Sequence, residues 1–271
     1  MIIEINKQKV FAYTGGKNFN YFDKVIIFLH GAQNDHSVWG LQSRFFAYHN
    51  FSILALDLPG HGRSQGEPLK SIESMSSWLS KLIDFLNIKN CILIGHSMGA
   101  LVALEAASNH KDKISGIALL GAGYPMKVSD ELIKNSLLNE DMAIDMVNIW
   151  SHSSISQKPS APSPGFYTPN VSKRLMQYVK RKNKAKIFNI DFLACNNYTN
   201  GDIAAGKICC PVLFLSGKND LMIPKKTNHN LVSKISNSKI IFLDNCGHSL
   251  MTEQPNKVLN QLNSFIKSIK D

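Results

Sequence analysis

The chain has 271 residues, 44% of them apolar, enough for one large globular domain, or one domain with a sizeable insertion, that needs no covalent staples. Lysine and arginine outnumber aspartate and glutamate by 30 to 20, a net charge of +10, yet no RNP-like or zinc-finger pattern accompanies the excess, so nothing points to nucleic acid. The 5 cysteines are odd in number and include no C-x-x-C, which argues against a disulfide framework, and the absence of H-E-x-x-H argues against a structural or catalytic metal.

The N-terminal stretch Met1-Ile2-Ile3-Glu4-Ile5-Asn6-Lys7 is not a basic start followed by a long apolar run. No stretch approaches the roughly eighteen apolar residues of a membrane span, so the expectation is a cytoplasmic protein. Ile2–Ile5 and Val10–Tyr13 read as an antiparallel hairpin at a sheet edge. Short runs rich in Val, Ile and Leu then follow at Lys24–His30, Phe51–Asp57, Cys91–His96, Ile114–Leu120, Val212–Ser216 and Lys239–Leu243. They do not alternate polar with apolar, which suits strands buried on both faces of a parallel sheet. Between Ser71 and Leu86, apolar residues recur at intervals of three and four (Met75, Trp78, Leu79, Leu82, Ile83), the mark of a helix packed by one face. Val258, Leu259, Leu262, Phe265 and Ile266 repeat the pattern near the C-terminus. Strands alternating with amphipathic helices predict an α/β class with crossover helices on both faces.

The alternation breaks between Ser129 and Lys207. Ser129 before Asp130 and Glu131, and Asn139 before Glu140 and Asp141, read as two helix starts. Further helical patterns lie at Val171–Lys182 and Ile187–Asn196. The expected organisation is therefore a core of residues 1–128 and 208–271 with residues 129–207 inserted as a helical lid. The Pro-rich stretch Pro159–Pro169 is expected to be mobile and to border the entrance to a pocket, roofed by Met142, Met146, Trp150 and Phe192. Lys173, Arg174, Lys180, Arg181, Lys182, Lys184 and Lys186 form a basic run without an acidic neighbour in sequence. It reads as solvated surface, with an acidic substrate or carrier as the alternative partner.

The chemistry centres on Gly95-His96-Ser97-Met98-Gly99, which follows a predicted strand and opens a helix rich in small residues. That context is a nucleophile elbow, a sharp strand-to-helix turn that lifts a serine hydroxyl off the sheet. A serine hydroxyl is a weak nucleophile at neutral pH and needs a base within hydrogen-bond reach, oriented by a carboxylate. Asp220 and His248 each lie just past a predicted strand, in the chain order Ser, acid, His that the elbow demands. Asp244, four residues before His248, is the rival acid. The oxyanion donors expected with such an elbow are the N–H of the residue after the nucleophile, Met98, and one from the loop His30-Gly31-Ala32-Gln33, assigned to Ala32. Gln33 is a further candidate for lining the pocket, and His30 reads as structural.

Together with Asp57-Leu58-Pro59-Gly60-His61-Gly62-Arg63-Ser64, these residues resemble the cap-bearing, esterase-like branch of the α/β-hydrolase superfamily over nearly the whole chain. The resemblance implies an eight-stranded, mostly parallel sheet, a helical cap after the sixth strand, and no cofactor. It implies a serine hydrolase acting on carboxylic esters of small or medium acyl compounds through an acyl-enzyme. A C–C hydrolase, thioesterase or acyl-transfer enzyme could use the same triad, and a non-catalytic ligand-binding protein could keep the same fold. The tight turns around Pro59, Gly60 and Gly62, rather than His61, account for the Asp57–Ser64 signature on this reading. A serine nucleophile disfavours dehalogenase and epoxide-hydrolase chemistry, and the absence of proline at Ala32-Gln33 disfavours perhydrolase chemistry.

Overall fold

A computed structural model describes residues 1–21, 23–157, 168–182 and 185–269. The expected mobility of Pro159–Pro169 falls almost wholly outside these residues.

Eight strands form one sheet: β1 (Ile2–Ile5), β2 (Gln8–Tyr13), β3 (Val25–Leu29), β4 (Ser52–Leu56), β5 (Cys91–His96), β6 (Ile114–Leu120), β7 (Val212–Gly217) and β8 (Ser238–Leu243), in the order β1-β2-β4-β3-β5-β6-β7-β8. β1 and β2 run antiparallel to their neighbours at one edge, and the rest are parallel. The sheet is thus the mostly parallel one the sequence predicts. The missing alternation in the strand sequences has its reason in the packing. In β3, Val25, Ile27 and Leu29 enter one core while Ile26 and Phe28 enter the other, and β5 divides Cys91 and Leu93 from Ile92 and Ile94 in the same way. Successive side chains point to opposite faces, and both faces are covered, so every position must be apolar.

Helices cover both faces of the sheet. α1 (Gly40–Ala47) follows β3, a helix that the strand-and-helix pattern of the sequence does not signal. α2 (Ile72–Phe85) starts at a capping box in which the Ser71 and Ser74 side chains bond each other's backbone N–H. α3 (Met98–Asn109) is buried along almost its whole length, which is why it is built of Gly, Ala, Leu and Val.

Between β6 and β7 the chain leaves the α/β alternation for α4 (Asp130–Leu138), α5 (Glu140–Ser151), α6 (Thr168–Lys182), α7 (Ile187–Asn197) and α8 (Gly201–Lys207). Ser129 and Asn139 cap α4 and α5 through their side chains. α4 to α7 share a small core formed by Leu132, Ala143, Ile144, Met176, Phe188 and Phe192, whereas Ala204 and Ala205 of α8 join the core of the sheet. After β7 come α9 (Lys225–Val232), then α10 (Leu250–Glu253) and α11 (Pro255–Ser268) following β8. No helix among the described residues is long and apolar enough to cross a membrane.

Candidate active site

The C-terminal ends of the parallel strands bring the expected residues to one edge, the place where open α/β sheets put ligand-binding groups. Ser97 sits between the end of β5 and the start of α3 at φ +54, ψ −116. This is a strained conformation for a residue with a Cβ, and such strain costs on the order of 1–3 kcal/mol. It persists because its surroundings leave no alternative. A Cβ on Gly95 would run into the Gly99 carbonyl, and one on Gly99 into the Leu29 and His30 carbonyls. The Ser97 N–H donates to Leu120 O at 2.9 Å on the neighbouring strand. The turn is therefore clamped by β3 and β6 on its two sides.

Asp220 lies three residues past β7, and its Oδ1 accepts the N–H groups of Met222 (2.8 Å) and Ile223 (2.9 Å). Its Oδ2 lies 2.8 Å from His248 Nδ1, and both side chains are almost enclosed. Burial alone would raise the Asp220 carboxyl, but the His248 ring and the two amide donors outweigh it and hold it below the usual carboxylate range. The carboxylate fixes the proton on Nδ1 and leaves Nε2 as the lone-pair nitrogen. Asp244, the rival, is exposed and paired with Lys218 at 2.6 Å. The His248 loop is braced from three sides. His96 Nε2 donates to His248 O at 2.9 Å, the Gly247 N–H donates to Glu253 Oε1 at 2.8 Å, and the Ser249 N–H to Ser151 O at 2.9 Å. Ser97 and His248 line the same two cavities. The Ser97 hydroxyl makes no hydrogen bond to any described residue, and such contacts often close only when substrate is bound.

Ala32 lines both cavities beside Ser97. Its N–H and that of Met98 have no acceptor among the described residues, so both donors are open. Gly31 lies so close to the elbow that a Cβ there would stand 3.0 Å from His96 Nδ1 and 3.3 Å from Ser97 Cβ.

Three expected pocket residues lie elsewhere. Gln33 is buried away from both cavities, with its Nε2 donating to Glu140 Oε1 at 2.7 Å and to Met176 O at 3.3 Å. Met142 is 46% exposed, and Met146 takes a contact from Asn135 Nδ2 at 3.5 Å instead of facing the pocket. Positions spaced by four advance by roughly 40° on a helix, so a stripe through Met142, Met146 and Trp150 drifts around α5 by roughly 80°. Trp150 and Phe192 do line the cavities, joined from α5 by Val147, Asn148 and Ser151. The basic run on α6 is also less bare than its sequence suggests, since Lys173 pairs with Asp145 (2.5 Å) and Lys180 with Asp141 (2.8 Å) on α5.

The buried histidines carry a pH dependence of stability. Burial, with the charge of His248 beside it, pushes His96 down from 6.5 to about 3, and burial, with His61 beside it, pushes His30 down to about 4. The unfolded chain protonates both rings near 6.5 and the folded chain does not, so stability is lost as pH falls from there toward 4. The slope is up to about 1.4 kcal/mol per pH unit for each ring. His61 works in the opposite sense. Burial lowers it, but Asp191 outweighs burial and raises it, so its contribution is complete below 6.5 and is lost as pH rises through its folded value. The melting temperature is thus expected to fall between pH 6.5 and 4.5, with a shallower slope in His30→Gln. Calorimetry showing a flat or rising Tm over that range would contradict this.

Comparison with known proteins bears on the family and the fold. A family model described as "alpha/beta hydrolase fold" matches residues 24–255. A bifunctional esterase/perhydrolase of Acinetobacter calcoaceticus is 26% identical over 254 residues, covering 90% of this chain and 92% of its own. Among solved structures, the enol-lactonase of Burkholderia xenovorans LB400 superposes with a TM-score of 0.84 at 19% identity, covering 99% of this chain and 100% of its own. An esterase of Exiguobacterium antarcticum gives 0.82 at 18% identity, covering 98% of each chain.

Proposed function

Since this chain belongs to the α/β-hydrolase-fold family, with the hydrolase activity its esterase relatives indicate, we propose that it is a serine hydrolase cleaving carboxylic esters of small or medium acyl compounds. The observation that carries this reading is the His248 Nδ1–Asp220 Oδ2 contact of 2.8 Å at the cavity that Ser97 also lines. Ser97 Oγ attacks the ester carbonyl carbon while His248 Nε2 takes its proton. The carbonyl oxygen becomes an oxyanion held by the N–H groups of Ala32 and Met98. Collapse of this intermediate breaks the C–O bond to the alcohol, which leaves with the proton from His248. Water, deprotonated by the same imidazole, then attacks the acyl-enzyme, and a second collapse frees the acid and returns the proton to Ser97. Asp220 remains ionised throughout and stabilises the imidazolium.

Residues 129–207 act as a cap on this reading, since α5, α6 and α7 supply Trp150, Ser172 and Phe192 to the cavity walls. The second cavity is walled largely by Met126, Val128, Leu132, Trp150, Phe192 and Met222, which suits an apolar acyl or alkyl group. The first adds Asn34, Asn148, Ser151, Ser172 and Thr252, which suit a polar one. The test combines turnover and labelling. The protein should hydrolyse p-nitrophenyl acetate and butyrate, and a fluorophosphonate probe should label the wild type at Ser97 and leave Ser97→Ala unlabelled. A protein that neither turns over these esters nor takes the probe would be a ligand-binding member of the family instead.

A further inference from the structure

Asp191 lies on α7 within the run Ile187-Phe188-Asn189-Ile190-Asp191-Phe192-Leu193, is completely buried, and lines neither cavity. A buried carboxylate is costly unless it is paired and hydrogen-bonded. Its Oδ2 accepts from the Gln33 N–H at 2.9 Å and lies 2.9 Å from His61 Nε2. His61 Nδ1 faces Pro59 O at 3.0 Å, so both ring nitrogens meet acceptors and the imidazolium form satisfies both. Gln33 itself stands at φ +56, a left-handed conformation that a non-glycine residue keeps only when other contacts impose it.

What Gln33 is held for follows from the preceding peptides. His30 Nε2 accepts from the Leu58 N–H at 3.2 Å, so Nδ1 carries its proton and donates it to Gly31 O at 2.8 Å. The Asn34 N–H donates to the same carbonyl at 3.3 Å, and Asn34 Nδ2 to Ala32 O at 2.9 Å. In a planar trans peptide the N–H points opposite to the C=O. Holding Gly31 O on one side therefore aims the Ala32 N–H at the other, and the left-handed turn at Gln33 is what lets Asn34 fold back onto both carbonyls. Asp191 anchors that turn.

We propose that Asp191, with His61 as its counter-ion, is a positioning residue for the Ala32 oxyanion donor, so that the inserted helices set the aim of the oxyanion loop. This rests on the serine-hydrolase reading above. The asparagine variant separates the hydrogen bond from the charge. Both contacts converge on Oδ2, so an amide oxygen in that place can still accept from the Gln33 N–H and from His61 Nε2–H, while the NH₂ stands where Oδ1 has no partner among the described residues.

The experiment measures p-nitrophenyl butyrate turnover and inhibition by a phenyl trifluoromethyl ketone, whose adduct with a serine carries an oxyanion. Outright loss of an oxyanion donor costs roughly 10²–10³-fold in kcat. For Asp191→Ala, where the donor remains but is no longer aimed, the expected loss in kcat is between about 10- and 100-fold, with KM within about twofold. The inhibition constant should rise by the same factor as kcat falls, a parallel that a merely structural role would not produce. Asp191→Asn should restore kcat to within about threefold of wild type.

Unchanged kcat in a folded Asp191→Ala, or a change in KM alone, would overturn the proposal. If the alanine variant does not fold, the asparagine variant decides, and a loss there of more than tenfold would overturn it. Rapid hydrogen exchange at the Gln33 amide of the wild type would do the same. Ser97→Ala distinguishes the two levels. Activity in Ser97→Ala means the serine-hydrolase reading itself fails, whereas an inactive Ser97→Ala beside a fully active Asp191→Ala means only this inference fails.

Discussion

Ser97→Ala is expected to abolish ester hydrolysis, with kcat falling on the order of a million-fold, because the members of such a triad act as a unit. The alanine removes the only atom that can form the acyl-enzyme. The elbow is clamped through the backbone and through Gly95 and Gly99, so the variant should fold like the wild type. His248→Ala should cost about as much, since a serine hydroxyl without a base is scarcely nucleophilic. Residual turnover is expected from the open N–H groups of Ala32 and Met98, which lower the barrier to attack by water even without a nucleophile. Steady-state kinetics on p-nitrophenyl butyrate checks both variants. Wild-type turnover in Ser97→Ala would remove the mechanism altogether.

Asp220→Asn is expected to lower kcat about 10⁴-fold while leaving the fold intact. The geometry makes the reason specific. Oδ1 of residue 220 receives two backbone N–H groups, from Met222 and Ile223, and only an oxygen can accept them. An asparagine must therefore keep its oxygen there and turn its NH₂ toward His248 Nδ1. A donor facing Nδ1 forces the proton onto Nε2, the nitrogen that has to accept from Ser97. The imidazole is then held as the wrong tautomer. Asp244→Asn removes only an ion pair with Lys218 that is exposed to solvent and screened by it. It should leave kcat near wild type. The opposite ranking of the two variants would assign the acid to Asp244.

Much of this molecule was legible in the sequence because the signals concerned are local. The burial of β3, β5 and β7 on both faces appears as uninterrupted Val, Ile and Leu, and the packing of α2 appears as apolar spacing of three and four. The elbow is also local, since its glycines, its serine and the small residues of α3 all lie within a few residues of one another. Loop position after a strand was enough to nominate Asp220 and His248, because parallel strands deliver their C-terminal ends to one edge.

Only the tertiary structure decided which of two acids meets the imidazole, since Asp220 and Asp244 both follow strands and differ in where their loops turn. It also moved Gln33, Met142 and Met146 off the pocket wall, because the face a helix or loop presents depends on what packs against it. The basic run of α6 has no acid near it in sequence, yet Asp141 and Asp145 approach it from α5. His61 shows the same limit most plainly. Within its own segment it reads as one residue of a turn, and its partner Asp191 lies 130 positions away on an inserted helix. The sequence contained one trace of that contact, an isolated acid amid apolar residues in α7, which signals a buried charge in need of a partner. Periodicity can report that such a residue is buried. Which group neutralises it is settled by chain topology, because contacts between distant segments leave no spacing to read.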